Sequence, residues 1–257
     1  SDLNFSEKTI FITGASSGIG RAISLAFAKH NPKLLIISGR NAERLTEVEN
    51  ECSNYCPNVK IVVGEMKDEE SINSVVEFVE KETSSSLDIF VGNHGTPGNG
   101  YGFDEFDMND FKDTFNINFM SMVHLTNLLG RFMNKNGSIV FITSLNSFRP
   151  DGSYSAYCSS KAALTMFMKC AAIDLGKRGI RVNSVAPGLV DTPFHDKIFE
   201  SKEQKEEVFQ KTKSMNPNGR IPSADGIANA VLFLSSNLAE DITGHEQIVD
   251  CGGMLCY

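Results

Sequence analysis

Short runs rich in β-branched residues alternate along the chain with longer stretches whose apolar residues recur at helical spacing, and this alternation restricts the fold more than any other feature. Such a chain builds repeated βαβ units around a parallel sheet. Lys8 to Thr13, Lys33 to Ser38, Val59 to Gly64, Leu87 to Gly92, Gly137 to Thr143, Ile180 to Ala186 and Glu246 to Asp250 read as strands. Ile19 to His30, Ala42 to Asn54, Glu69 to Glu82, Asn109 to Asn134, Ser155 to Lys177 and Ala224 to Ser235 read as helices, with Asp68 as an N-cap before the acidic pair Glu69-Glu70. The expectation is an α/β fold, a doubly wound parallel seven-stranded sheet flanked by helices, in a single domain spanning residues 1–257.

Composition supports a sizeable core, with 41% hydrophobic and 22% charged residues in 257. A formal net charge of -8 argues against a nucleic-acid or anionic-membrane surface and favours a small-molecule substrate. No stretch approaches the roughly 18 to 20 apolar residues of a membrane span, and the N-terminus lacks a basic region followed by an apolar one, so a cytoplasmic protein is expected. Among the six cysteines, Cys52 and Cys56 are close together but have no second Cys or His pair to complete four ligands. Free thiols and no metal are expected.

Directly after the first strand, Gly14, Gly18 and Gly20 lead into the first helix. Glycines there permit a tight turn and close backbone approach, and the helix N-terminus offers amide donors and positive dipole to a pyrophosphate. The second strand ends Ile37-Ser38-Gly39-Arg40-Asn41. An NAD site commonly has a carboxylate here; Gly39 supplies none, while Arg40 brings a guanidinium suited to the extra phosphate of NADP. NADP(H) is preferred, with NAD(H) as the alternative.

Tyr157 and Lys161 lie four apart in a predicted helix, thirteen residues after Ser144. Residues at that spacing share a face, and a nearby ammonium favours phenolate over phenol, which makes Tyr157 a candidate general acid or base. Alone, the pair reads better as a packed aromatic beside a snorkelling lysine.

Taken together, these motifs resemble the short-chain dehydrogenase/reductase family, essentially end to end. Thr13 through Gly20 matches its cofactor turn, implying contacts from Gly14, Ser16, Ser17, Gly18, Ile19 and Gly20. Ser144, Tyr157 and Lys161 match its catalytic triad, and Asn118 the asparagine that extends it to a tetrad. Pro187-Gly188-Leu189-Val190-Asp191-Thr192 resembles the segment that holds the nicotinamide carboxamide, implying contacts from Pro187, Gly188, Val190 and Thr192. The resemblance implies that Tyr157 transfers the proton and that Ser144 holds the substrate oxygen. Lys161 would lower the Tyr157 pKa and bind the nicotinamide ribose, and Asn118 would hold a water that carries protons to Lys161.

Two departures stand out. The fourth strand ends Gly92-Asn93-His94-Gly95, where the family usually has Asn-Asn-Ala-Gly. Asn93 and Gly95 are retained for the cofactor, whereas His94 is either a second acid/base or a structural residue. Glu65 stands where the family usually carries an aspartate, so adenine contact is carried over to Glu65 and the backbone of Met66.

The expected substrate-binding set is Ser144, Asn146, Phe148, Tyr154, Tyr157, Leu189 and Phe194, partly apolar and without an arginine or lysine. Residues 194–220, charged and helical, form an expected substrate lid, with a solvated surface helix as the alternative. A homodimer or homotetramer is implied by the resemblance, with small and apolar residues from Ala162 to Ala172 suited to helix packing. The resulting expectation is an NADP(H)-dependent oxidoreductase moving hydride between nicotinamide and a carbonyl or secondary alcohol. The same chemistry with NAD(H), and a cofactor-binding redox sensor on the same fold, are the alternatives.

Overall fold

In a computed structural model, which describes residues 3–199 and 201–256, seven strands form one sheet: β1 (Thr9–Ile12), β2 (Leu34–Gly39), β3 (Val59–Val63), β4 (Leu87–Gly92), β5 (Met133–Ile142), β6 (Arg181–Pro187) and β7 (Glu246–Val249). All pairings are parallel, in the order β3-β2-β1-β4-β5-β6-β7. The helices are α1 (Gly18–Ala28), α2 (Ala42–Ser53), α3 (Glu69–Thr83), α4 (Met108–Phe115), α5 (Ser121–Leu129), α6 (Ser155–Gly176), α7 (Lys202–Met215) and α8 (Ala224–Ser235). Asp68 caps α3 as expected, its carboxylate accepting from the Ser71 amide.

The central strands β1, β2 and β4 are mostly apolar because both sheet faces are covered there, and alternate residues serve opposite cores. Ile10 and Ile12, Leu35 and Ile37, and Ile89 and Val91 pack under α1 and α8. Phe11, Leu34, Ile36, Phe90, Ile139 and Phe141 pack on the other side under α3, α5 and α6. Among the described residues, no helix is long and apolar enough to cross a membrane.

The predicted helix from Asn109 to Asn134 is corrected in two ways. It is interrupted by a π turn at Asn116–Met120, and it ends at Leu129. Gly130 closes α5, and Met133 already pairs with Leu87, with a register shift before the pairing resumes at Ile89 and Ser138. Asn134 fills that irregularity, its amide donating to Asp88 Oδ1 at 2.9 Å and its oxygen accepting from Ser86 Oγ. A polar stretch that stays on the strand through a bulge reads, from periodicity alone, as the end of a helix.

The chain changes winding direction between β1 and β4, neighbours in space that are followed by helices on opposite sides of the sheet. A crevice opens beyond their carboxyl ends, where ligands bind in open α/β sheets.

Candidate active site

The crevice is a cavity of about 770 Å³ reaching from the β1–α1 turn to the start of α6. The turn is held tightly. Gly14 has φ +65°, and a Cβ there would come within 2.7 Å of His94 Cα. At Gly20 a Cβ would lie 2.1 Å from the Gly14 carbonyl oxygen, so only hydrogen fits. Asn93 braces the same turn from β4, its amide donating to Thr13 O at 3.1 Å and Gly14 O at 3.0 Å. Ser16, Ser17, Gly18, Ile19, Gly20 and Gly95 also line the cavity, as do Pro187, Gly188, Val190 and Thr192 opposite. These residues fit a dinucleotide: an open cradle of backbone at a helix N-terminus, with no side chain filling it.

At the outer end, Arg40, Glu65 and Met66 line the cavity together with Arg44, a cation missed in the sequence although it stands four residues after Arg40. Arg40 and Glu65 lie 3.7 Å apart, both more than half exposed. Their pairing is weak enough to be exchanged for a ligand group.

The other end gathers Ser144, Tyr157 and Lys161. Ser144 follows β5 and its hydroxyl accepts from the Asn146 amide at 3.1 Å, fixing the strand's exit. Tyr157, half-buried, stands beside Ser144, near enough for that hydroxyl to favour the phenolate. Lys161 is 3% exposed and donates to the Ile142 carbonyl at 2.9 Å. Burial brings the lysine down to about 8, with Glu246 acting in the opposite direction.

The anticipated lowering of the Tyr157 pKa is not found in this state. Burial pushes the phenol up to about 12, while the Ser144 hydrogen bond pulls it down. The Lys161 ammonium is committed to Ile142 and sits 5.8 Å from the centroid of the Tyr157 ring.

Asn118 does not line the cavity. Fully buried within the π turn, it accepts from the Thr96 amide at 2.8 Å and donates to the Thr96 carbonyl at 2.9 Å and to Ser160 Oγ at 3.0 Å. It braces the loop that carries Gly95 against α6. Gly95 is close enough that a Cβ would sit 3.1 Å from Asn118 Oδ1 and 3.5 Å from Lys161 Nζ.

His94 is also buried, with both ring nitrogens engaged. Ser121 Oγ spends its one hydrogen on Ile117 O at 2.6 Å, so His94 Nε2 donates to Ser121 at 2.7 Å and Nδ1 accepts from Thr13 Oγ1 at 2.9 Å. Burial first, and then the Lys161 charge, bring its pKa down to about 3. A neutral strut between β1 and α5 is the role this geometry supports, not an acid/base. Gly92 is explained by packing: a Cβ there would meet both Met122 Sδ and Phe141 Cδ1 at 2.8 Å.

The substrate set is corrected at Phe148. The single turn Leu145–Ser147 swings this side chain outward, where it is 46% exposed and off the cavity wall. Asn146, Tyr154, Leu189 and Phe194 do line the cavity, and the Phe194 ring lies 5.8 Å from that of Tyr157. Arg149 and His195 also line it, so the expectation of a wall without arginine is revised. No sequence signal marks Arg149, because its approach depends on the short turn after Ser144. In residues 194–220, whose Glu200 lies outside the described residues, Lys205 of α7 pairs with Asp191 at 3.0 Å and Asp196 at 2.9 Å. Cys52 and Cys56 are buried under α2, away from this cavity, and burial pushes the Cys52 thiol up to about 12.

The profile of the family described as Enoyl-(Acyl carrier protein) reductase matches residues 14–254. The chain belongs to the short-chain dehydrogenase/reductase family. Within this family it is 31% identical to a 7alpha-hydroxysteroid dehydrogenase of Escherichia coli, covering 98% of this chain and 96% of that protein. It is 34% identical to a 3-oxoacyl-acyl-carrier-protein reductase of Rickettsia bellii, with 98% and 99% covered. A short-chain dehydrogenase from Burkholderia cenocepacia, solved in complex with NADP, superposes with a TM-score of 0.87 at 27% identity over 99% of this chain and 100% of that one. As a short-chain dehydrogenase/reductase, the chain is an oxidoreductase of a nicotinamide-dinucleotide-binding class, and its doubly wound sheet is the family's fold.

Proposed function

We propose that the chain is an NADP(H)-dependent oxidoreductase interconverting a ketone and a secondary alcohol. The observation that carries this reading is the convergence of Ser144, Tyr157 and Lys161 on one end of the cavity whose other end is the Gly14–Gly20 cradle. When bound, the nicotinamide supplies or receives hydride. Tyr157 holds the proton for the substrate oxygen, Ser144 orients that oxygen, and Lys161 provides the positive charge that favours phenolate as the proton leaves. Asn118 keeps the Gly95–Thr96 floor in place.

The preference for NADP(H) rests on Arg40 and Arg44 at the outer end and on Gly39, which offers no carboxylate to a ribose. The Burkholderia relative's complex supports the same choice. Leu189, Phe194, Ile198, Phe199 and Val208 make an apolar wall, with Arg149 and Asn146 as polar elements. This suits a bulky apolar carbonyl compound with a polar group, the kind of molecule named by the steroid and acyl-carrier relatives. Residues 194–220 act as its lid. Met166 and Ile173, 60% and 75% exposed on α6, support pairing of this helix with its copy in a homodimer or homotetramer. A cytoplasmic location fits the reading.

The test is a screen of steroid ketones, 3-oxoacyl thioesters, sugars and simple ketones, following nicotinamide absorbance with NADPH and NADH. Faster turnover of a bulky ketone with NADPH is expected. Equal rates with both cofactors would remove the NADP preference, and tight NADPH binding without turnover of any compound would favour the redox-sensing alternative.

A further inference from the structure

A carboxylate lies behind the candidate active site, off the cavity wall. Glu246 opens the edge strand β7, in register with Ser184 of β6. Its Oε1 accepts from Thr143 Oγ1 and, at 3.0 Å, from Thr165 Oγ1. Its Oε2 is shielded from solvent and has no hydrogen-bond partner among the described residues. Each threonine hydroxyl carries one hydrogen, shared between this carboxyl oxygen and a backbone carbonyl, Val185 for Thr143 and Lys161 for Thr165.

The anchors are placed for a purpose related to the site. Thr143 stands between Ile142, whose carbonyl receives Lys161 Nζ, and Ser144. Thr165 is one turn beyond Lys161 on α6, on the same helix face. The carboxylate therefore straps the strand end that carries Ser144 to the helix that carries Tyr157 and Lys161. Burying an ammonium alone is strongly unfavourable, and Lys161 has one hydrogen-bonded carbonyl, that of Ile142, next in sequence to a threonine that Glu246 engages.

We propose that Glu246 is a positioning residue for the reaction proposed above, tying the Ser144 strand end to α6 and placing its carboxylate one threonine away from both the Lys161 backbone and the Ile142 carbonyl that receives Lys161 Nζ. Lys161 is faced by Tyr157 from its own helix, by His94 from the loop after β4 and by Glu246 from β7; Gly95, Asn118 and the Ile142 carbonyl around it are uncharged. Tyr157 and His94 are neutral near pH 7, so neither supports the ammonium. Glu246 raises the lysine's affinity for its proton, and removing that charge lets the proton leave at lower pH.

The experiment follows the Lys161 titration by NMR of isotope-labelled lysine side chains, assigned with Lys161→Arg, in the wild type, Glu246→Gln and Glu246→Asp. Glutamine keeps the shape and an acceptor oxygen but not the charge. In Glu246→Gln the titration is expected to move to lower pH by about half a pH unit or more, carrying the alkaline limb of kcat with it. Aspartate, which keeps the charge on a shorter arm, is expected to restore it. A titration unmoved in folded Glu246→Gln would overturn the proposal whatever the protein's activity; absence of carbonyl reduction alongside a moved titration would instead count against the reaction assigned above. Should the glutamine variant not fold, Glu246→Met removes the same charge while filling the space, and the same two outcomes apply.

Discussion

Lys161 Nζ donates to the carbonyl of Ile142 at 2.9 Å, two residues before Ser144, so the lysine of the Tyr-x-x-x-Lys pair is anchored on the strand end that delivers the serine. Helix α6 and strand β5 thus meet through one buried charge, with Tyr157 beside Ser144. Displacing any one of the three disturbs the other two.

Tyr157→Phe keeps the ring against Phe194 and removes the proton. Carbonyl reduction is expected to fall by about a hundredfold or more. NADPH affinity, read by fluorescence titration, should stay within about twofold, because the cradle at Gly14 to Gly20 is untouched.

Arg40→Ala removes a guanidinium that is free to exchange an exposed partner, Glu65 at 3.7 Å, for phosphate. NADPH binding is expected to weaken by about tenfold or more, the worth of one charge-assisted hydrogen bond. NADH binding should be unchanged. Isothermal titration with both cofactors decides this, and equal losses for the two would place Arg40 outside the phosphate site.

Gly20→Ala puts a methyl group 2.1 Å from the Gly14 carbonyl oxygen and 2.5 Å from Asn93 Nδ2. The turn cannot accept it without moving. Stability is expected to drop by about 1–3 kcal/mol, in the range of overpacked cores, with NADPH affinity lost beyond tenfold. Denaturant unfolding and cofactor titration on the same sample would separate the two effects.

His94 is neutral when folded, its pKa brought to about 3, but titrates near 6.5 once unfolded. Below the unfolded value the unfolded chain takes up the proton and the folded chain does not. Stability from this group is therefore complete well above pH 6.5 and declines as pH falls toward 3, by about 1.6 kcal/mol between pH 6.5 and 5. His94→Ala should be less stable at pH 7 by about 1–3 kcal/mol, since Thr13 and Ser121 each lose a partner, yet show a flatter decline on acidification. Urea midpoints between pH 7 and 5 report both, and an unchanged slope would mean another group sets the acid sensitivity.

Much of this architecture was legible because a sheet buried on both faces leaves continuous apolar runs, and helices between them leave a different period. The glycine turn and the Tyr157 and Lys161 spacing were legible because backbone crowding and helix geometry act locally. What periodicity could not show depends on contacts across the fold. Arg149 enters the cavity and Phe148 leaves it through a three-residue turn whose direction no spacing encodes. His94 read as either an acid/base or a structural residue because its partners, Thr13 and Ser121, are 81 and 27 residues away. The phenol of Tyr157 was expected to be more acidic than usual, but the burial that raises it belongs to the assembled cavity. Glu246, on a short edge strand with no motif, acquires neighbours only when β7 closes the sheet.

The π turn at Asn116–Met120 carries about one residue more than an α-helical turn of the same rise. It is a length of slack wound into the chain between α4 and α5. Deleting a single residue there would take up the slack and leave α5 in phase with α4, but the widened turn that carries Asn118 to Thr96 would close, so the chain can shorten at this point only by giving up the brace on the loop that follows Gly95.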